Sequence, residues 1–353
     1  MTASSRGSSS LSPAGVRSKA LYFVGPGRLE IREISLPQPR ERELLVQTVL
    51  SGISAGTEML LFRGEIAADS ESSADSLSQN LSYPTQYGYA CVGRVLAVGR
   101  SANPEWRDRL VFAFQPHESH FLTDQDAVIG VPAGVAAEDA IFLPNMETAV
   151  NLVQDAAPQL GERAMVLGQG VVGLLTAALM AGFPLECLVT ADRYQARRDA
   201  SLAAGATHSL DPGASGFEEL ALANTGPKKP GYDVTLELSG SPAAMNSAIA
   251  LTAFAGRILV GSWYGNKTAP IKLGGRFHRS RITIRASQVS TIAPQLTGRW
   301  NKPRRFQTAW SALERIRPSR WITHRFDVGE AAEAYRLLDE SPQLALQVVF
   351  NYA

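Results

Sequence analysis

The stretch AMVLGQGVVGLLTAALM, residues 164–180, decides the fold. Ala164–Leu167 reads as a short apolar strand and Val171–Ala181 as a helix, with Gly168, Gly170 and Gly173 between them in GxGxxG spacing. Each glycine has its own physical reason. The first permits a tight turn, the second lets a pyrophosphate approach the backbone, and the third lets the helix pack on the strand. The N–H groups of Val171, Val172 and Gly173, which open the helix, then face the phosphates. Asp192 follows Gly173 by nineteen residues, just past the next strand, Leu188–Ala191. A carboxylate there can hydrogen-bond the ribose hydroxyls and repel a 2′-phosphate, while Arg193 beside it softens that preference. An aspartate that only caps the next helix would explain Asp192 alone, but not the whole set.

Outward from this turn the rhythm is strand–helix. A helix over Tyr194–Ala203 stops at Gly205, Asp233–Leu238 is a strand, and Arg257–Gly261 is another. Ser241 is expected to cap a helix with Pro242 at its first position. Such alternation predicts a doubly wound parallel sheet. The segment before about Ala149 is β-rich instead, with strands expected at Lys19–Val24, Leu29–Ile34, Glu43–Leu50, Cys91–Val98 and Arg109–Phe114. A helix over Asp327–Asp339 and a strand over Leu344–Phe350 are expected to return to that first lobe. Ala67–Ser82, poor in large apolar groups, reads as a surface loop or a lid. The Ser-rich first seventeen residues read as a loose tail without a signal-peptide core.

Composition narrows the class. A chain of 353 residues is long enough for about two domains. Lys and Arg number 34 and Asp and Glu 33, so the net charge of +1 gives no field for nucleic acid or membrane. Cys91 and Cys187 are too few for a disulfide framework or a four-cysteine zinc site. The uncharged run 164–183 has about the length of a membrane span, but its glycines break it and charged residues flank it. A soluble, cytoplasmic protein is expected.

With these residues in hand, the chain resembles the medium-chain dehydrogenase/reductase superfamily from Lys19 onward. The resemblance rests on GISAGTE (Gly52–Glu58), GYACVG (Gly88–Gly93), RDRLVFAF (Arg107–Phe114), the glycine-rich turn, YDVTLELSGSP (Tyr232–Pro242), GRILVG (Gly256–Gly261) and EAAEAYRLL (Glu330–Leu338). Within the superfamily, SGISAGTE is most similar to the zinc-type branch that includes hydroxyethyl bacteriochlorophyllide dehydrogenase. The resemblance implies an α/β protein: a GroES-like β-rich catalytic domain, 18–149 and 298–353, around a Rossmann domain, 150–297. It also implies NAD as cofactor, with NADP second, and a homodimer. Thr148, with Asn145, matches a segment that touches nicotinamide, and Ser239 and Gly261 are expected at the same cofactor site.

The chain departs from the zinc-dependent pattern at every ligand position. The first falls on Ser54 or Ala55, the histidine of GHE has become Tyr89, and the third falls near Pro144. No metal is therefore expected. His117, Glu118 and His120 in QPHESH read as a solvated loop rather than a metal site. Without zinc, another group must meet the substrate oxygen. Tyr89 stands where the family's metal-binding histidine stands, and Thr57 aligns with the hydroxyl of its proton relay. Glu58 aligns with an acid held near the site through arginine contacts. Tyr89 as filler of a vacated pocket is the competing reading.

Between Gly275 and Arg325 stand twelve Lys and Arg against one acid, Glu314. This segment either receives an anionic small-molecule substrate or pairs with acids elsewhere. Trp263, Tyr264, Phe277 and Trp300 either line an apolar cleft or belong to core and interface. Three functions stand: an NAD(H)-dependent, zinc-independent alcohol/ketone oxidoreductase, an NADPH-dependent reductase of enones or quinones, and a dinucleotide-binding sensor without turnover.

Overall fold

A computed structural model describes residues 15–66, 82–226 and 230–352. The chain begins with an antiparallel hairpin, β1 (Val16–Gly25) and β2 (Arg28–Leu36). β1 starts two residues inside the segment expected to be a loose tail, because Val16 and Arg17 find partners at Leu36 and Ser35. The rest of that tail lies outside the described residues, as does nearly all of the expected lid, 67–81.

The first lobe continues with β3 (Glu43–Gly52), the short helix α1 (Glu58–Arg63), β4 (Cys91–Val98), β5 (Leu110–Ala113), β6 (His120–Asp124) and β7 (Val128–Gly130). Two helices follow, α2 (Ala137–Ala140) and α3 (Leu143–Ala156). The second lobe runs β8 (Arg163–Leu167), α4 (Val171–Met180), β9 (Cys187–Ala191), α5 (Gln195–Ala203), β10 (His208–Leu210), α6 (Phe217–Ala223), β11 (Tyr232–Glu237), α7 (Ala244–Leu251), β12 (Thr252–Val260) and β13 (Thr283–Ala286). The chain then forms α8 (Lys302–Ile316), β14 (Ile322–Asp327), α9 (Ala331–Glu340) and β15 (Gln347–Asn351).

The second lobe is one six-stranded parallel sheet in the order β10-β9-β8-β11-β12-β13. Its order reverses between β8 and β11, and a crevice opens outside the carboxyl ends of strands at such a point. β8 and β9 are buried almost throughout, as strands covered on both faces must be. The first lobe is a seven-stranded sheet, β14-β15-β3-β4-β5-β7 with β6 on β3. β15 returns to lie antiparallel to β3, with Val349 opposite Gly52.

α3 joins the lobes. Its Leu143, Met146 and Val150 share one buried cluster with Leu174 and Leu175 of α4 and with Trp310 and Leu313 of α8. Full burial of each such side chain contributes about 1.5–3 kcal/mol. Ser241 does not cap a helix: α7 opens at Ala244 behind Ala243, and the Ser241 carbonyl accepts the Ala244 N–H in a turn. The capping signal instead appears before α9, where Asp327 and Glu330 form a capping box on a single 3-10 turn.

Candidate active site

The glycine-rich turn joins β8 to α4 at the switch point. Gly168 has φ +93°, and a Cβ on it would lie 2.5 Å from the Ser239 Cα. A Cβ on Gly173 would lie 2.0 Å from the Gly168 carbonyl oxygen, so the helix can close on the turn only as glycine. Around Gly170 a Cβ would meet nothing within 4 Å. Gly170 is the helix N-cap and supplies no side-chain cap, which leaves the first amides of α4, those of Val171, Val172 and Gly173, directed outward. An open space before unsatisfied N–H groups fits a pyrophosphate.

Asp192 stands at the end of β9 and is buried against this turn. Its Oδ2 accepts the Gln169 N–H at 2.8 Å and its Oδ1 accepts the Tyr194 N–H at 2.9 Å. Each oxygen keeps a further lone pair for a ribose hydroxyl. Arg197 Nη1 lies 3.9 Å from Oδ2, and Arg193 is exposed. Across the crevice, Ser239 gives both its N–H and its hydroxyl to Oε1 of the buried Glu237. The space of a Cβ at Gly261 is occupied by Leu238 and Leu152, so that glycine serves packing and offers a ligand only backbone. The Thr148 hydroxyl donates to the Pro144 carbonyl inside α3 at 2.9 Å.

The second half of the site lies at one end of the β3–β4 pair. Ser51 sits opposite Cys91, and the Gly52 N–H donates to the Ala90 carbonyl. Ser54, two residues past β3, therefore meets Tyr89, two residues before β4. The Tyr89 hydroxyl donates to Ser54 Oγ at 2.5 Å and lies 3.5 Å from Thr57 Oγ1. Thr57 holds the N-cap position of α1 but makes no side-chain capping bond. Its hydroxyl is thus available to Tyr89. Burial pushes the Tyr89 phenol above its usual range, the Ser54 and Thr57 hydroxyls oppose that, and the Glu58 charge adds to it. Sequence reading paired Tyr89 with Thr57 but left Ser54 only as a lost ligand position.

Glu58 and His117 are both wholly buried and paired, His117 Nε2 standing 2.9 Å from Glu58 Oε2. QPHESH is therefore not a solvated loop. Its main chain bonds Leu21, Lys19 and Thr48, which seats it between β1 and β3 and carries His117 and Glu118 inward. Glu58 also differs from expectation, since its partners are His117, the Tyr335 hydroxyl and the Ser54 N–H rather than an arginine.

A family model described as zinc-binding dehydrogenase matches residues 171–313, from the first residue of α4 to α8. Sorbitol dehydrogenase of Bacillus subtilis is 27% identical over 273 residues, covering 69% of this chain and 74% of its own length. The crystal structure of 2R,3R-butanediol dehydrogenase from Bacillus subtilis superposes with TM-score 0.76 at 16% identity, over 95% of this chain and 99% of that one. An Escherichia coli CFT073 alcohol dehydrogenase (rspB) complexed with NADH gives TM-score 0.76 at 18% identity, over 96% and 100%. These likenesses support a place in the medium-chain dehydrogenase/reductase superfamily. It is an oxidoreductase.

In this chain four cations of the basic segment pair inward. Buried Arg305 donates from Nε and Nη2 to Glu147 Oε1 at 3.0 and 2.8 Å, and from Nη1 to Asn151 Oδ1 at 2.6 Å. Lys302 reaches the same Glu147 oxygen at 3.0 Å, Arg285 lies against Asp155, and Arg325 against Glu138. Four of the cations available for an anion thus face acids of α2 and α3. The aromatic residues divide. Tyr264 donates to Glu237 Oε2 at 2.5 Å, Phe277 packs on the core of the six-stranded sheet, and Trp300 lies under Arg304. Trp263 is exposed. Beyond Tyr264, Asn266 and Lys267 reach Glu65 and Ile66 of the other lobe.

Proposed function

We propose that this chain is a zinc-independent oxidoreductase that transfers a hydride between NAD(H) and a secondary alcohol or ketone of a medium-sized organic molecule. The carrying observation is the Tyr89 hydroxyl, set against Ser54 and Thr57; the sequence resemblance aligns Tyr89 with the family's metal-binding histidine. A neutral phenol and a neutral serine hydroxyl are poor zinc donors beside imidazole, thiolate or carboxylate, and Pro144 offers no side-chain donor at all. They are sound partners for a substrate oxygen. A bound nicotinamide supplies or accepts the hydride. The outward amides of α4 would hold its pyrophosphate, and Asp192 would favour a ribose without a 2′-phosphate.

In the reducing direction the Tyr89 O–H turns from Ser54 to the substrate oxygen as negative charge develops there. Ser54 or Thr57 then passes a proton to the phenol oxygen as it takes one from solvent, so the proton gained by the substrate comes from water. In oxidation the same hydroxyls carry the proton away. A missing donor to such an oxygen typically costs about a hundredfold or more in rate.

Tyr89→Phe keeps the ring and removes the hydroxyl. Turnover is expected to fall at least about tenfold, a modest part of the usual acid–base contribution, with cofactor affinity and melting temperature unchanged. Wild-type turnover in that variant would show Tyr89 to be packing. Elemental analysis finding one tightly held zinc per chain, with activity lost to a chelator, would overturn the metal-free half of the reading.

A further inference from the structure

The proposed chemistry uses Tyr89, Ser54 and Thr57, yet a second group of polar residues is buried directly behind them and has no part in it. Glu58 opens α1 and its carboxylate collects three donors: the Ser54 N–H at 2.8 Å on Oε1, and His117 Nε2 and the Tyr335 hydroxyl on Oε2. His117 Nδ1 lies 2.7 Å from Ser51 Oγ, which in turn lies 2.6 Å from the Tyr352 hydroxyl. One proton arrangement satisfies every atom. Tyr352 donates to Ser51, Ser51 to Nδ1, and Nε2–H to Glu58.

Burying a charge in this way is expensive unless it is fully hydrogen-bonded, and a hydrophobic replacement would often serve stability as well. The placement shows what the charge is next to. The His117 ring lies against Gly88, where a Cβ would come 3.0 Å from its Nε2 and the φ of +131° favours glycine. Gly88 is the residue before Tyr89. Glu58, for its part, ties down the main chain of Ser54, the residue whose oxygen receives the Tyr89 proton. His117 and Glu58 thus back both halves of the Tyr89–Ser54 contact.

Resting on the reading of Tyr89 as the donor, we propose that the buried Glu58–His117 pair is a positioning unit: it fixes the Ser54–Tyr89 contact, and its carboxylate helps to keep Tyr89 protonated. A fixed negative charge close to a phenol disfavours the phenolate. Tyr89 therefore stays protonated, as a donor must, to higher pH than Ser54 and Thr57 alone would hold it. Several other titratable groups face the cluster. Tyr87 meets the Tyr89 ring edge-on at 6.3 Å, and Tyr335 comes from α9 and Tyr352 from beyond β15, both with phenols pushed far up by burial. Cys91 is pushed up to about 12, and burial raises the Glu118 carboxyl. Burial acts first on the Tyr89 phenol, the Ser54 and Thr57 hydroxyls oppose it, and the Glu58 charge adds to it.

The test is Glu58→Gln, which keeps the shape and removes the charge. Its amide can still accept from Ser54 and can donate to His117, provided the imidazole takes the other tautomer and donates to Ser51. Two readouts are taken: the alkaline limit of kcat, and the ionisation of the Tyr89 phenol from the ultraviolet difference between each protein and its Tyr89→Phe counterpart. Both are expected about one pH unit lower in Glu58→Gln. Glu58→Asp, which keeps the charge but shortens the reach to Ser54, should lower kcat and leave the phenol ionisation in place. Unmoved profiles in Glu58→Gln would overturn the proposal. Should that variant fail to fold, Glu58→Asp carries the test, with an unchanged kcat counting against the proposal, and wild-type Tyr89 ionising at or below 10 would overturn it, because burial and the Glu58 charge both act upward. If Tyr89→Phe turns over normally, the donor reading fails, and the phenol titration still tests the coupling to Glu58.

Discussion

Asp192 has two duties that act together. It is expected to choose the cofactor, and it also holds the turn by accepting the N–H of Gln169 on one side and of Tyr194 on the other. NAD is therefore expected to bind at least about tenfold more tightly than NADP in a fluorescence titration. Asp192→Ala should weaken both cofactors, because the turn loosens, and should bring their affinities together, because the repulsion is gone. A ratio unchanged by the substitution would assign the preference elsewhere, with Arg193 and Arg197 the nearest groups. Single residues were legible where local spacing carries them: the three glycines and Asp192 follow from the sequence around one turn. Tyr89 and Thr57 came from resemblance, not spacing. Ser54 as a partner of Tyr89, and His117 as a partner of Glu58, could not be read locally. Thirty-five and fifty-nine positions separate those pairs, and only the antiparallel closure of β3 on β4 and of 117–119 on β1 brings them together.

Among the elements, the β8–turn–α4 unit makes the sharpest claim. Gly173→Ala forces a Cβ into the Gly168 carbonyl at 2.0 Å, so both melting temperature and cofactor affinity should fall. Gly170→Ala meets no protein atom and should leave the melting temperature alone while filling the space before the helix amides. Its affinity for cofactor is expected to drop at least about tenfold, since the pyrophosphate can no longer approach the backbone. Equal behaviour of the two variants would contradict the assignment of that space. Strands and helices of the second lobe were readable because each is a local apolar run ended by glycine. QPHESH was misread because polar composition resembles a solvated loop. Nothing local shows that its main chain will be paired on both sides. Ser241 and Pro242 show the opposite failure, a correct capping pattern placed three residues before a helix that starts without it.

Taken as a whole molecule, the two lobes are held by α3 and α8, and the polar part of that seam is Glu147 with Arg305 and Lys302. Arg305→Met would leave Glu147 with one cation and strand the Asn151 and Thr291 oxygens that Arg305 now serves, while the Val289 carbonyl keeps Lys302. Removal of one partner from a buried pair costs about 3–5 kcal/mol. The denaturation midpoint is expected to shift accordingly, and a shift under about 1 kcal/mol would mean that water or Lys302 replaces the arginine. The interruption of one sheet by another also orders events in time. The nucleotide sheet needs only residues 163–286, whereas the sheet that holds Tyr89 and Ser54 lacks β14 and β15 until residues 322–351 have been made. On the ribosome the Gly168 turn can therefore form while the pocket around Tyr89 is still open-sided, and Ile53, whose N–H donates to Val348, waits for a partner made 295 residues later.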